Sequence, residues 1–254
     1  MLSTFPFPHL YIESLFHSML AEQGNKDEGD WSLIKKAVSD RYNVKHFNEL
    51  ENPVDRAYIV RTRDRIIIAI SGTKSPKGWV RNAKMKIIDG WHFGFWESFN
   101  DLLLHPVTSI CKGFTGKIVV YGHSAGSAIA LRTNYHLKYK LGRNVESITY
   151  CGPQAINKTG KSKLKKANVC NTTMNIDPRD PVDDIGKLKG GKDHGFVFNL
   201  PNDGSPGIHP LWIVDNLFYG HAPSYVCRCL KTLFHNWKMN YDKEIEDISQ
   251  FAVK

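Results

Sequence analysis

The sequence predicts an α/β fold, a mostly parallel central sheet with helices on both faces. Three observations predict it. Short apolar runs alternate with segments of helical periodicity along the chain. One run, RIIIAIS (65–71), is so nearly all apolar that it must be buried on both faces, as a central strand of a layered sheet is. Finally, KIVVYG (117–122) leads within two residues into a breaker-free helical segment at 125–139, the pattern of a strand feeding a crossover helix.

Each element follows from its own residues. Residues 10–20 place Leu10, Ser14, Leu15 and Met19 at helical spacing, and 30–46 reads as a second helix capped by Asp30, with Leu33, Ile34, Ala37 and Val38 on one face. AYIVRT (57–62) and RIIIAIS are strands joined by a short polar turn. From Glu97, ESFNDLLLHPVTSICKGF keeps helical periodicity through a proline. SITYCG (147–152), NVCNTTMN (168–175) and HGFVFNL (194–200) supply further strands, and KTGKSKLKK (158–166) reads as a solvated loop. No repeat, low-complexity tract or Pro/Gly/Ser-rich linker divides the 254 residues, so a single domain is expected, with a helical region over 1–56 and a catalytic core over 57–240.

Composition narrows the class. With 41% hydrophobic and 23% charged residues the chain is globular rather than disordered. No apolar stretch approaches the roughly 18–20 residues of a membrane span. The opening MLSTFPFPHLYIESLFHSML lacks a basic leader and carries Glu13 in its apolar part, which points to the cytoplasm rather than secretion. Cys111, Cys151, Cys170, Cys227 and Cys229 are odd in number and show no CxxC spacing, so reduced thiols are expected rather than disulfides or zinc. A formal charge of +9, with five lysines in KTGKSKLKK, favours anionic partners such as a lipid surface. Without a helix-turn-helix, zinc-finger or RNP-like signature, nucleic acid is not expected.

Reactive groups of such a sheet belong beyond the carboxyl ends of its strands. There, after KIVVYG, lies Gly122-His123-Ser124-Ala125-Gly126, a GxSxG pattern between strand and helix. A serine at that bend is presented by strained backbone angles, and the flanking glycines relieve the crowding. A neutral hydroxyl is a poor nucleophile, so it needs an imidazole to take its proton and a carboxylate to orient the imidazole. In this strand-elbow-helix arrangement the chain order is serine, acid, histidine. Asp177 and Asp180, in NIDPRDPVDD, follow the strand NVCNTTMN, with Asp183 and Asp184 further out. Of His194, His209, His221 and His235, His221 is favoured as base because it follows Gly220 at a loop-to-helix entry. The developing oxyanion needs donors, for which the amide of Ala125 and Thr73, just after RIIIAIS, are the candidates.

Together these residues resemble the class 3, or fungal-type, lipase family of the α/β-hydrolase superfamily over roughly 57–226. IIIAISGT is similar to that family's oxyanion segment, GWHFGFWESF (90–99) to its histidine-x-glycine-phenylalanine motif, and IVVYGHSAGSAIA to its nucleophile elbow. TYCGPQAIN (149–157) resembles its glycine-proline strand, DPV (180–182) its acid motif and HAPSYV (221–226) its histidine segment. The resemblance implies an α/β-hydrolase fold, a triad of Ser124, Asp180 and His221, and an oxyanion hole of Thr73 and Ala125. It makes His92 a structural brace. Ala125 stands where a bulkier residue is common, SGT replaces an arginine-containing version, and only eighteen residues (74–91) separate Thr73 from His92, room for a short lid.

The function expected is serine ester hydrolysis of lipid esters such as acylglycerols through an acyl-enzyme, with no metal or organic cofactor. Ile208, Leu211, Trp212, Ile213, Val214, Leu217 and Phe218 are candidates for an acyl trough. Trp79, Trp91, Phe93, Phe95 and Trp96 form a second aromatic set. The alternative is a catalytically silent lipase-like module that recruits a lipid or protein partner.

Overall fold

A computed structural model describes residues 8–23, 31–73, 75–84, 86–175, 196–199, 227, 231 and 241–251. In it, helices α1 (Pro8–Gln23) and α2 (Trp31–Ser39) precede strands β1 (His46–Glu51), β2 (Arg56–Arg61) and β3 (Arg65–Ile70). Helix α3 (Pro76–Asn82), a two-stranded hairpin of β4 (Ile87–Ile88) and β5 (Trp91–His92), α4 (Phe93–Ser98), a π turn (Phe99–Leu103) and α5 (Leu104–Cys111) lead to β6 (Lys117–His123). Then come α6 (Ala125–Leu141), β7 (Val145–Tyr150), α7 (Lys158–Lys166), β8 (Cys170–Asn175), β9 (Phe196–Asn199) and α8 (Asp242–Ser249).

Seven strands form one sheet in the order β1-β2-β3-β6-β7-β8-β9. The β1–β2 and β2–β3 pairings are antiparallel; β3 to β6, β6 to β7, β7 to β8 and β8 to β9 are parallel. This is the mostly parallel sheet of the α/β-hydrolase fold. The alternation of β3 explains its unbroken apolar run: Ile67 and Ala69 pack with α1 and α2 on one face, while Ile66, Ile68 and Ile70 pack under α4, α5 and α6 on the other.

Helix α1 meets the sheet through polar groups as well as apolar ones. Ser14 lies 2.6 Å from the Tyr150 hydroxyl, and His17 Nδ1 lies 2.7 Å from the Tyr58 hydroxyl. Burial, helped by Arg41 and Arg65, pushes the His17 pKa down to about 3, so the imidazole is neutral in the core.

Three readings need correcting. The second helix ends at Ser39, and His46–Glu51 is an edge strand instead; its only buried side chain is Leu50, so no apolar alternation announced it. The lysine-rich segment is a helix, not a loop. The Asn157 side chain caps it by accepting from the amides of Thr159 and Gly160 at 2.9 and 3.1 Å, Leu164 is buried beneath it, and lysines in its last turn oppose the helix dipole. Third, the helix expected from Glu97 contains a π turn, in which the Leu104 amide bonds to the Phe99 carbonyl. Pro106 has no amide for Leu102 and would crowd that carbonyl, and widening the preceding turn relieves the conflict.

Candidate active site

Strand β6 ends on His123 and α6 begins at Ala125, so Ser124 alone makes the bend, at φ 54° and ψ −128°. A non-glycine residue pays for such angles, and neighbouring contacts hold it there. The Ser124 amide donates to the Tyr150 carbonyl at 2.9 Å, and the Ser127 hydroxyl is within bonding distance of the Tyr150 and Gly122 carbonyls at 2.8 and 3.1 Å. The two flanking glycines are needed for space. A Cβ on Gly122 would strike the backbone of Gly126, and one on Gly126 would come within 2.6 Å of the Ser71 carbonyl oxygen and closer still to that of Ile70. The first turn of α6 therefore rests directly on the exit of β3.

That contact brings the candidate oxyanion segment to Ser124. A Cβ on Gly72 would lie 3.0 Å from Ser124 Cβ, so only the missing side chain lets the two loops touch. Thr73 follows, its hydroxyl held at 2.8 Å by the Asn82 side-chain amide of α3. Ala125, buried, opens α6, whose first-turn amides and dipole favour negative charge at this end. Ser124, Ala125 and Thr73 thus share the carboxyl edge of the sheet. Asp177, Asp180, Asp183, Asp184, His194, His209, His221, His235, the apolar 208–218 stretch, Cys229 and Asp30 lie outside the described residues.

Of the aromatic set, Trp91 and Phe95 are core, Phe93 and Trp96 are half-buried, and Trp79 is 43% exposed beside the still more exposed Val80 on α3. His92 is buried with its ring centroid 4.6 Å from that of Phe95. Gly94 permits α4 to cross α3, since a Cβ there would meet the Arg81 carbonyl oxygen at 2.6 Å. Among the described residues no cluster of His, Cys, Asp and Glu could hold a metal ion.

One participant was not expected. Glu22, buried at the end of α1, accepts from the Gly72 amide at 2.6 Å and lies 3.1 Å from His123 Nδ1. A carboxylate from the N-terminal helix therefore ties the Gly72 loop, the candidate oxyanion segment, to His123, the residue preceding Ser124. Its trace in the sequence is positional: Leu15, Met19 and Glu22 are spaced so that the acid continues the apolar face. Glu22→Ala is expected to lower kcat for ester hydrolysis about a hundredfold, the cost of a displaced catalytic loop, while Glu22→Gln, which keeps the acceptor oxygen, retains most of it. Steady-state kinetics of both variants check this, and an unchanged kcat in Glu22→Ala would refute it.

Comparison with known proteins agrees with this geometry. The family model described as Lipase (class 3) matches residues 67–183, which include most of β3, the elbow and the DPV segment. A triacylglyceride lipase of Rhizomucor miehei superposes with a TM-score of 0.61 at 16% identity, covering 76% of this chain and 81% of that one. The lipase of Rhizopus microsporus var. chinensis gives 0.58 at 19% identity over 74% of each chain. A triacylglycerol lipase whose catalytic centre is described as a serine protease triad gives 0.62 at 16% identity, over 83% of this chain and 92% of that one. At these identities the superpositions establish the fold. The search of curated proteins returns no match.

Proposed function

We propose, from the match of its 67–183 segment to the class 3 lipase family model, that the chain is a serine carboxylic ester hydrolase of lipid esters, acylglycerols foremost. The observation that carries the reading is the strained Ser124 between β6 and α6, with Gly72 packed against its Cβ. A hydroxyl so presented, beside two sources of oxyanion donors, is arranged for acyl transfer.

In the proposed reaction Ser124 Oγ attacks the ester carbonyl carbon while His221 takes its proton and Asp180 holds the imidazolium. The Ala125 amide and Thr73 receive the oxyanion. Collapse of the tetrahedral adduct breaks the carbon–oxygen bond to the alcohol, which leaves with the proton from His221. Water, deprotonated by the same imidazole, then attacks the acyl-enzyme, releasing the carboxylic acid and restoring Ser124. Exposed Trp79 and Val80, with Lys77, Lys84 and Lys86 close by in the chain, suit the work to an anionic lipid surface. Cytoplasmic residence is the reading that the free thiols of Cys111 and Cys170 support.

The test is covalent labelling of the folded full chain by a fluorophosphonate, followed by turnover of tri-, di- and monoacylglycerols. Labelling at Ser124, its loss in His221→Ala, and a larger fall in turnover for Asp180→Asn than for Asp177→Asn are expected. A folded protein that resists the reagent and cleaves none of the esters would overturn the proposal and leave a lipase-like binding module.

A further inference from the structure

Away from the nucleophile, α6 and α7 enclose a second recess. It has a volume of about 400 Å³, and among the described residues its charged lining comprises Arg132, Lys140, Lys163 and Lys166 against the one carboxylate of Asp89. Asp89 is already engaged by Lys163. Arg132 lies eight residues beyond Ser124, about 12 Å along the helix at 1.5 Å per residue, so the recess is separate from the elbow.

The state of Arg132 is the informative feature. Its guanidinium sits over the rings of Trp91, Phe99 and Tyr135 at 5.1, 5.2 and 5.4 Å, and among the described residues no carboxylate forms an ion pair with it. Its Nε is buried without a hydrogen-bond partner. Aromatic faces stabilise a cation, yet they satisfy none of its N–H donors, and a buried donor left unsatisfied costs free energy. The buried arginines Arg81 and Arg56 also have an Nε without a partner, but each is paired with a carboxylate, Asp55 and Glu51. Arg132 lacks such an acid, while Lys140 and Lys166 add cations on the walls of the same recess. His136, whose Nε2 is 3.0 Å from the Thr108 hydroxyl, borders it; burial, Arg132 and Lys140 all push its pKa down, as a site awaiting negative charge would.

We propose that this recess is a binding site for a phosphate monoester, whose oxygens would take the N–H groups of Arg132 and the ammonium groups of Lys140 and Lys166. A guanidinium presents a planar fork of donors that suits phosphate oxygens, and the lysines add point charge. The volume accommodates a phosphorylated polyol rather than a bare ion alone. The parallel rings of Tyr135 and Tyr139, 5.2 Å apart, offer a surface for its carbon skeleton. The same chemistry is carried by a soluble phosphate ester and by the headgroup of phosphatidic acid. The site makes no use of Ser124 and stands whether or not the ester-hydrolase reading does.

The experiment is calorimetric titration of the full chain with inorganic phosphate and with glycerol 3-phosphate, alongside flotation with phosphatidylcholine vesicles containing or lacking phosphatidic acid. One-to-one binding is expected, tighter for the ester than for phosphate. Arg132→Gln is expected to abolish it. The double variant Lys140→Gln/Lys166→Gln, altered at exposed positions and so spared any folding defect, is expected to weaken it at least tenfold. Lys161→Gln/Lys165→Gln, on the same helix but outside the recess, should stay within twofold of wild type. Vesicle flotation that falls in the Lys140/Lys166 variant identifies the lipid headgroup; calorimetric binding without such a fall identifies the soluble ester. Failure of the wild type to bind in either arm, or equal loss in the two lysine pairs, overturns the proposal.

Discussion

Ser124→Gly is expected to abolish ester hydrolysis and to stabilise the protein. Loss of the attacking hydroxyl lowers kcat by on the order of 10⁶-fold, the scale at which a triad serine acts together with its partners. The same residue sits at φ 54° and ψ −128°, where a side chain is strained by about 1–3 kcal/mol and glycine is at ease. Glycine is more flexible in the unfolded chain, which returns part of that gain, so a net stabilisation of about 1 kcal/mol, roughly 2 °C in Tm, is expected. Turnover of a p-nitrophenyl ester and thermal unfolding measure the two halves separately. Residual turnover above one part in a hundred would remove Ser124 as nucleophile, and a lowered Tm would remove the strain.

Gly126→Ala is expected to damage the fold itself. The added methyl would press on the carbonyl oxygens of Ile70 and Ser71, which belong to backbone rather than to a side chain that can swing aside. Strand β3 is held between β2 and β6, so it cannot retreat. Overpacking against fixed atoms costs about 3 kcal/mol or more. Gly142 gives the comparison: it caps α6 at φ 62° with nothing within 4 Å of a Cβ, and Gly142→Ala is expected to cost only about 1 kcal/mol. Urea unfolding of both variants measures the difference, and equal costs would mean that the close approach of α6 to β3 is not what makes Gly126 necessary.

The parts legible in the sequence are those whose physics is local. Double-sided burial writes an unbroken apolar run into β3, and the elbow writes its glycines two residues either side of Ser124. What was missed depends on distant partners. The polar edge strand His46–Glu51 exists because β2 pairs with it, and the lysine-rich α7 because Leu164 finds a core under it. Glu22 reaches its role across 50 residues to Gly72, a separation that no window of sequence reveals. Ser124 and the oxyanion candidates were legible and meet at the sheet edge; Asp180 and His221, outside the described residues, rest on chain order and resemblance alone.

Helix α3 has a mechanical consequence. It follows the oxyanion segment at once, and Arg81 at its end forms a buried ion pair with Asp55, while Asn82 grips Thr73. Removing one member of such a pair costs about 3–5 kcal/mol. This stretch is therefore a fixed jamb rather than a swinging door: α3 is anchored at its end both to Asp55 and to Thr73, and a shift of the helix would have to break both attachments.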